Sequence, residues 1–212
     1  MRSSAPAESS RRKRLRLIAL RDAAIVCTLL STGARVSELI GLTRGAVKQG
    51  KAQTAQVTGK GDKRRMVILD DESQRTIQAY LRLRQDTNPA LFVSHLNGRR
   101  PKGLDAKSVQ RVMEHLEESI RKRFPDNPDA QAVRITPHIF RHNVGASLTR
   151  EGAHPNSIKA YLGHASVQTT EVYQEDAADE QVMDDVATYT PTRRQQIEDA
   201  KELLNLNVPE NA

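Results

Sequence analysis

Two arginines, two histidines and a tyrosine, spread over three separated segments, form a set of side chains suited to phosphate chemistry. The set comprises Arg35, His138, Arg141, His164 and Tyr173. An arginine fork meets two phosphate oxygens at once and stays protonated at neutral pH. Histidine can donate a hydrogen bond or transfer a proton near neutral pH. These residue types together predict a site at which a tyrosine oxygen attacks a phosphodiester.

The transition state of such an attack concentrates negative charge on the non-bridging phosphate oxygens. The largest contribution a protein can make there is a preorganised set of cationic donors. Arg35 and Arg141 come from distant segments, so they can hold one phosphate from two directions. His138 and Arg141 are three residues apart on a predicted helix and therefore project from one face. Tyr173 has an ordinary pKa of about 10, so it needs a neighbouring base and a cationic field to attack at neutral pH.

Each of these residues taken alone has an ordinary structural interpretation. A lone Arg35 is most often a surface arginine, and His-x-x-Arg is common on solvated helix faces. A histidine after a glycine, such as His164, more often caps or packs than catalyses. The structural interpretation for tyrosine is a packed ring with its hydroxyl satisfied, and we keep it for Tyr80, Tyr161 and Tyr189.

The chemical interpretation is favoured by a resemblance to the tyrosine recombinase (phage integrase) family. The family's first arginine segment is similar to residues 32–39, and its second box, His-x-x-Arg-His, resembles residues 138–142. Its third box resembles residues 162–164, Leu-Gly-His, followed nine residues later by Tyr173. The family's lysine in a β-hairpin turn is matched by residues 59–61, Gly-Lys-Gly. The four blocks stand in the family's order, and the resemblance covers about residues 17–174.

The resemblance implies covalent DNA chemistry. Tyr173 would attach to a DNA 3′ phosphate and free a 5′ hydroxyl, while Arg35 and Arg141 would hold the phosphate. The covalent ester preserves the bond energy and the cationic side chains supply the charge, so the resemblance implies neither a cofactor nor a metal. The chain departs from the family's pattern at residues 143–145, Asn-Val-Gly, which bears on local packing more than on chemistry.

Three further roles follow from the same resemblance. Lys60 would be the general acid for the leaving 5′ oxygen, with Lys63 as its rival in the same turn. His138 would assist proton transfer at the tyrosine, and His164 would hydrogen-bond the phosphate. Glu38, three residues after the first arginine, either orients that arginine or is an ordinary helix glutamate.

The periodicity of apolar residues predicts a mainly α (α+β) fold with one small antiparallel hairpin, and the resemblance implies that this fold is a helical tyrosine-recombinase catalytic domain. Apolar residues at helical spacing predict helices, and alternation around a Gly-rich turn predicts two strands. A threonine followed by proline at residues 136 and 137 is a typical helix start. The predicted helices span about 15–30, 35–42, 71 onward, 109–120, 138–150, 155–162, 166–173 and 192–206, and the strands span 54–58 and 65–69.

Composition divides the chain into three parts. Residues 1–13 are predicted to be a basic, disordered arm, residues 14–190 the catalytic domain, and residues 191–212 an acidic amphipathic helix or tail. Family members usually carry a helical DNA-clamping domain before the catalytic one. We therefore expect either an excised catalytic domain or a short form that binds DNA differently.

The charge distribution indicates a polyanionic partner. The net charge is +7 and the isoelectric point about 9.7. Ten acidic and three basic residues follow Tyr173, so the first 173 residues carry a net charge of +14. A basic body with an acidic tail fits double-stranded DNA bound by the body. The tail is predicted either to pack on its own domain or to dock on a neighbouring protomer, in a homotetramer on paired DNA sites.

The sequence argues against a membrane-spanning protein and against a secreted one. The longest apolar run, residues 23–27, is too short to span a membrane, and no apolar segment follows the basic N-terminus as in a secretory signal. The single cysteine, Cys27, cannot form an internal disulfide. We therefore expect a cytoplasmic, nucleoid-associated protein. Besides recombination, two alternatives stay open: relaxation of DNA by a type IB topoisomerase and non-catalytic DNA binding by a regulator on the same fold.

Overall fold

A computed structural model describes residues 10–47, 54–95 and 102–163. It has a mainly helical fold with one small sheet, as the sequence predicts. Two 3-10 turns, at Arg44–Ala46 and Lys60–Asp62, join the regular elements. The elements in chain order are α1 (Ser10–Thr32), α2 (Val36–Gly41), β1 (Thr54–Thr58), β2 (Arg64–Ile68), α3 (Asp71–Leu83), α4 (Ala106–Arg123), α5 (Pro128–Ala132), α6 (Pro137–Arg150) and α7 (Pro155–Leu162).

Helix α1 is longer than its apolar pattern indicates. It begins at Ser10, so residues 10–13, assigned by composition to a disordered arm, are its first turn. Arginine and lysine are good helix formers, which explains why a charged segment extends the helix. The second half of α1 is buried on nearly all sides, with residues 23–27 almost wholly inaccessible. This half packs against α3 and α6 and forms the centre of the main core.

The hairpin confirms the predicted small antiparallel sheet. Strand β1 has the predicted bounds and β2 begins one residue earlier than predicted. Ala55 opposes Val67 and both are buried, which places one face of the hairpin on the main core. Gly61 in the turn has φ 75°, in the left-handed region that glycine adopts without a steric penalty. The turn therefore has a defined backbone even though it is rich in charge.

Helices α3 and α4 complete the main core. Asp70 and Asp105 cap them, each accepting the backbone N–H three residues on at 2.8 Å. The predicted apolar stripe of α4 is buried at Val109, Val112, Met113 and Leu116. The short helix α5 was not predicted, although residues 127 and 128, Asn-Pro, form a good helix start. The side chain of Asn127 accepts two backbone N–H groups there.

Helices α6 and α7 form a second, smaller core. Thr136 and Pro137 begin α6 as predicted, and α7 has the predicted bounds. The second core lies against the end of β2 and consists of Ile68, Val144, Leu148, Ala153, Tyr161 and Leu162. The two cores meet where the α1–α2 turn and β2 contact α6 and α7. None of the described helices is long and apolar enough to cross a membrane.

Some predicted elements fall outside the described residues. These are the helices over 166–173 and 192–206, and with them the acidic tail over 191–212. The division of the chain into arm, catalytic domain and tail stays a prediction apart from the start of α1.

Candidate active site

Arg35 lies in the turn between α1 and α2, where it is the residue that precedes α2. Glu38, in the first turn of α2, accepts the backbone N–H of Arg35 at 2.9 Å through Oε2. Its Oε1 accepts a hydrogen bond from Nη1 of Arg35 at 3.0 Å. The side chain of Glu38 is 1% exposed. Of the two interpretations for Glu38, the structure therefore favours the one in which it orients Arg35.

Gly33 allows the Arg35 turn to approach α6 and α7 closely. It has φ 59°, and a Cβ at this position would lie 3.1 Å from Cδ2 of Leu162 and 3.2 Å from Cβ of Val144. A larger residue would be both strained and crowded. The glycine of the first motif thus packs directly on the second and third motifs.

Arg141 connects the same three segments through hydrogen bonds. It projects from α6, is buried, and donates from Nη1 to the carbonyl oxygen of Gly33 at 3.0 Å. Its Nη2 donates to the carbonyl oxygen of Leu162. One guanidinium therefore holds the α1–α2 turn against the C-terminal end of α7.

Three arginines share the C-terminal end of α7. The last carbonyl groups of a helix have no partner within the helix and carry partial negative charge. Here the carbonyl oxygen of Tyr161 accepts from Arg65, that of Leu162 from Arg141, and that of Gly163 from Nη2 of Arg35 at 2.6 Å. The helix end thus gathers three guanidinium groups from three separate elements.

Arg65 is a member of the site that the sequence did not reveal. It projects from β2, and its Nη2 donates to Oε2 of Glu38 at 2.8 Å. Its guanidinium carbon lies 5.9 Å from the ring centre of Tyr161. Its Nε is buried and has no hydrogen-bond partner among the described residues. Its position in a predicted strand beside the Gly-Lys-Gly turn was a signal that the sequence offered. Nothing in the sequence, however, indicates which residues it bonds.

The site is positively charged at neutral pH. The pKa of Arg141 is lowered to about 10, mainly by burial and also by the charges of Arg35 and Arg65, while the charge of Glu38 opposes the shift. Burial also raises the pKa of Glu38, but the charge of Arg65 and the hydrogen bonds from both arginines outweigh it and leave that pKa lowered. Among the described residues, Glu38 bonds two guanidinium groups and interacts with the charge of a third, and this excess of positive charge favours an anion.

The other predicted site residues are placed only in part. His138 lies in the first turn of α6 and is exposed, one turn before Arg141. Lys60 begins the 3-10 turn of the hairpin, its side chain outside the described structure, whereas its rival Lys63 is exposed. A Cβ on Gly59 would lie 3.3 Å from Oε1 of Glu38, so the Lys60 turn is held against the arginine cluster.

The two remaining predicted residues, His164 and Tyr173, lie outside the described residues. The tyrosines with a structural interpretation behave as expected where they are described. Tyr80 and Tyr161 are buried, and the hydroxyl oxygen of Tyr161 accepts the backbone N–H of Ile68 at 3.2 Å. No group of three or more potential metal-ligating side chains occurs within residues 10–47, 54–95 and 102–163.

Comparisons with known proteins find a matching family, similar relatives and similar solved structures. The phage integrase family matches residues 10–180. Tyrosine recombinase XerC of Corynebacterium efficiens is 33% identical over 156 residues, which are 72% of this chain and 46% of the relative. The crystal structure of XerA recombinase is similar with a TM-score of 0.54 and 28% identity, over 90% of this chain and 66% of that one.

A structure of XerH site-specific recombinase, bound to palindromic difH substrate in a post-cleavage complex, shares the fold. Its TM-score is 0.52 and its identity 19%, over 91% of this chain and 51% of that one. The chain spans about half the length of the curated relatives it matches.

Proposed function

The chain belongs to the phage integrase family, and from this premise we propose that it carries the catalytic domain of a site-specific DNA recombinase. It would cut and rejoin double-stranded DNA through a 3′-phosphotyrosyl intermediate. The observation that supports the proposal most is the cluster of Arg35 and Arg141. The two arginines come from the first and second motifs and both bond the helix end that leads into the third.

This cluster suits the phosphate of a DNA strand. Arg35 is partly exposed, with 37% of its side chain accessible, whereas Arg141 is buried behind it. An incoming phosphate can therefore meet one arginine at the surface and a second that is already fixed by carbonyl groups. Fixed cationic donors stabilise the developing charge without reorganising during the reaction.

The chemical step transfers the phosphoryl group from the 5′ oxygen of the DNA strand to the phenolic oxygen of Tyr173. The phenolic oxygen of Tyr173 forms a bond to phosphorus, and the bond from phosphorus to the 5′ oxygen breaks. Lys60 gives a proton to the leaving 5′ oxygen, and His138 assists removal of the proton from the tyrosine. Arg35 and Arg141 hold the non-bridging oxygens. Rejoining reverses these transfers with a new 5′ hydroxyl, so no nucleotide cofactor or metal is required.

His164 would hydrogen-bond the same phosphate, because it directly follows Gly163, whose carbonyl group bonds Arg35. Assembly is a further part of the proposal. Recombination joins two DNA sites, so we propose a homotetramer in which residues 191–212 dock on a neighbouring protomer, with a nucleoid-associated location in the cytoplasm.

The experiment uses a pool of nicked DNA duplexes with randomised sequence around the nick. Cleavage near the nick releases a short oligonucleotide, which prevents rejoining and traps the covalent protein–DNA adduct. We expect an adduct that survives detergent with the wild type and none with Tyr173→Phe, because the ester needs the phenolic oxygen. Tyr189→Phe is the matched control and should form the adduct normally. Sequencing the trapped DNA then identifies the target.

Three outcomes would contradict the proposal. An adduct formed by Tyr173→Phe would exclude Tyr173 as the nucleophile. Tyr173-dependent relaxation of a plasmid, with no joint products on the selected sites, would favour a type IB topoisomerase. Tight, salt-sensitive DNA binding with no cleavage of any member of the pool would favour a non-catalytic regulator.

A further inference from the structure

Arg65 joins three elements of the site, as Arg141 does, although no motif singles it out. From β2 it reaches the carbonyl oxygen of Tyr161 at the end of α7 and the carboxylate of Glu38 in α2. Only 11% of its side chain is exposed, and its guanidinium group lies over the ring of Tyr161. One side chain therefore joins the hairpin, α2 and α7, which are distant in the sequence.

Glu38 bonds both Arg65 and Arg35, so the position of Arg65 influences the orientation of Arg35. Its Oε2 receives Nη2 of Arg65 at 2.8 Å and the backbone N–H of Arg35 at 2.9 Å. Its Oε1 receives Nη1 of Arg35 at 3.0 Å. With Oε2 held by two donors, the carboxylate plane is fixed and Oε1 is directed at Arg35. Without Arg65, the carboxylate keeps one arginine and gains rotational freedom.

Two glycines of the motifs lie against this ion pair. A Cβ on Gly163 would lie 3.1 Å from Cδ and 3.2 Å from Nε of Arg65. A Cβ on Gly59 would lie 3.3 Å from Oε1 of Glu38. Each of the two glycines directly precedes a residue with a proposed role, Lys60 in one case and His164 in the other. The Arg65–Glu38 pair is thus packed between the backbones that lead into these two residues.

We infer that Arg65 is a positioning residue for DNA cleavage, which sets the orientation of Arg35 through Glu38 and fixes the end of α7 relative to the hairpin. The inference rests on the proposed function. Arg65 acts through other residues, because it bonds the carboxylate that holds Arg35 and the carbonyl group of Tyr161 on α7. Lysine cannot replace it, because a single ammonium group lacks the planar fork that spans both acceptors.

The test measures the rate of adduct formation in a single turnover, with the full chain and nicked DNA selected from the randomised pool. DNA affinity is measured separately by putting each change in a Tyr173→Phe background. We expect Arg65→Gln to slow adduct formation at least about tenfold and to change affinity by less than about twofold, because positioning acts on the transition state. Arg64→Gln is the matched control in the same strand, since Arg64 is exposed.

A pH profile and a conservative variant separate positioning from a contribution to folding alone. Arg65 holds the pKa of Glu38 down, so Arg65→Gln should lose activity at a higher pH on the acid side than the wild type does. Arg65→Lys should keep the DNA affinity but not restore the rate. The double variant Glu38→Gln/Arg65→Gln should be slower than Glu38→Gln by a smaller factor than Arg65→Gln is slower than the wild type, because part of the effect of Arg65 passes through Glu38. It also removes both charges together, which guards against misfolding of the single variant.

The outcomes distinguish this inference from the proposed function. Absence of any Tyr173-dependent adduct with the wild type would contradict the proposed function. A normal wild-type adduct together with an unchanged rate in Arg65→Gln would overturn the role of Arg65. Full rescue of the rate by Arg65→Lys, or effects of Glu38→Gln and Arg65→Gln that simply add, would overturn it as well.

Discussion

Two arginine clusters of this molecule use the same kinds of contact and differ in how the charge of their arginines is balanced. Arg84, at the end of α3, and Arg65 both lie beside a buried tyrosine ring and both bond backbone carbonyl groups. Arg84 uses all its N–H groups, donating to both carboxylate oxygens of Asp86 and to three carbonyl oxygens within residues 88–91. Its side chain is wholly inaccessible. Arg84 is therefore a saturated structural arginine.

The α7 cluster differs in its balance of charge. Arg84 shares the carboxylate of Asp86 with Arg44, whose Nη2 lies 3.5 Å from it. The carboxylate of Glu38 bonds Arg35 and Arg65 and also interacts with the charge of a third arginine, Arg141. Hydrogen bonds from Arg84 hold the pKa of Asp86 down to about 2, which keeps that pair intact at neutral pH. The comparison teaches that arginine and carbonyl contacts alone do not indicate function. What distinguishes the candidate site is its third guanidinium group, that of Arg141, which bonds carbonyl groups and has no ion pair with a carboxylate among the described residues.

The largest effect on stability is expected at the saturated cluster. Arg84→Gln removes the closest ion-pair partner of Asp86 and the donor to three carbonyl groups, so we expect the free energy of unfolding to fall by about 3 kcal/mol. The control Arg82→Gln, at an exposed position of the same helix, should change it by less than about 0.5 kcal/mol. Urea unfolding of the full chain measures both. A loss below about 1 kcal/mol for Arg84→Gln would contradict the saturated role.

The α7 cluster should respond in activity rather than in stability. Arg141→Gln removes a fixed donor to the transition state, so we expect adduct formation to slow by about 10² to 10³-fold. Relief of repulsion with Arg35 and Arg65 offsets part of the lost hydrogen bonding, so unfolding should change by only about 1 kcal/mol. Arg150→Gln, exposed at the end of the same helix, is the control. A destabilisation matching that of Arg84→Gln would remove the distinction between the two clusters.

The smallest effect is expected in the acid dependence of stability. The pKa of Glu38 is lowered in the folded protein, so its stabilising contribution is present above its ordinary pKa of 4.5 and is lost as the pH falls through the folded value. The contribution of Asp86 is lost at lower pH, between 3.8 and about 2. As the pH falls, the free energy of unfolding should therefore decrease less steeply below pH 4.5 in Glu38→Gln and less steeply below pH 3.8 in Asp86→Asn. Urea unfolding between about pH 5 and pH 2 compares them, and identical pH dependence in both variants would contradict this assignment.

Much of the fold could be predicted because its signals are local. The apolar stripe of α4, the threonine and proline that begin α6 and the alternation of the hairpin all specify elements within a few residues. The start of α1 was misplaced because the charged residues that extend it have helix propensity but no apolar period. The helix α5 was missed because five residues are too few for periodicity to register.

The motifs located Arg35, Lys60, His138 and Arg141, and the structure brings Arg35, Arg141 and the Lys60 turn to one place. Arg65 had no such signal. Its acceptor on α7 is 96 residues away, and the carboxylate it shares with Arg35 is 27 residues away in another direction. No spacing rule connects residues at such separations.

The sequence by itself determined the element types, the family and the kinds of side chain available for phosphate chemistry, because these depend on residue identity and short spacing. The tertiary structure alone decided which carbonyl and carboxylate groups each arginine meets. Those acceptors are brought near only when α7 packs on the α1–α2 turn and on β2. The same residue type thus becomes a saturated support at Arg84 and part of a cluster with excess positive charge at the end of α7.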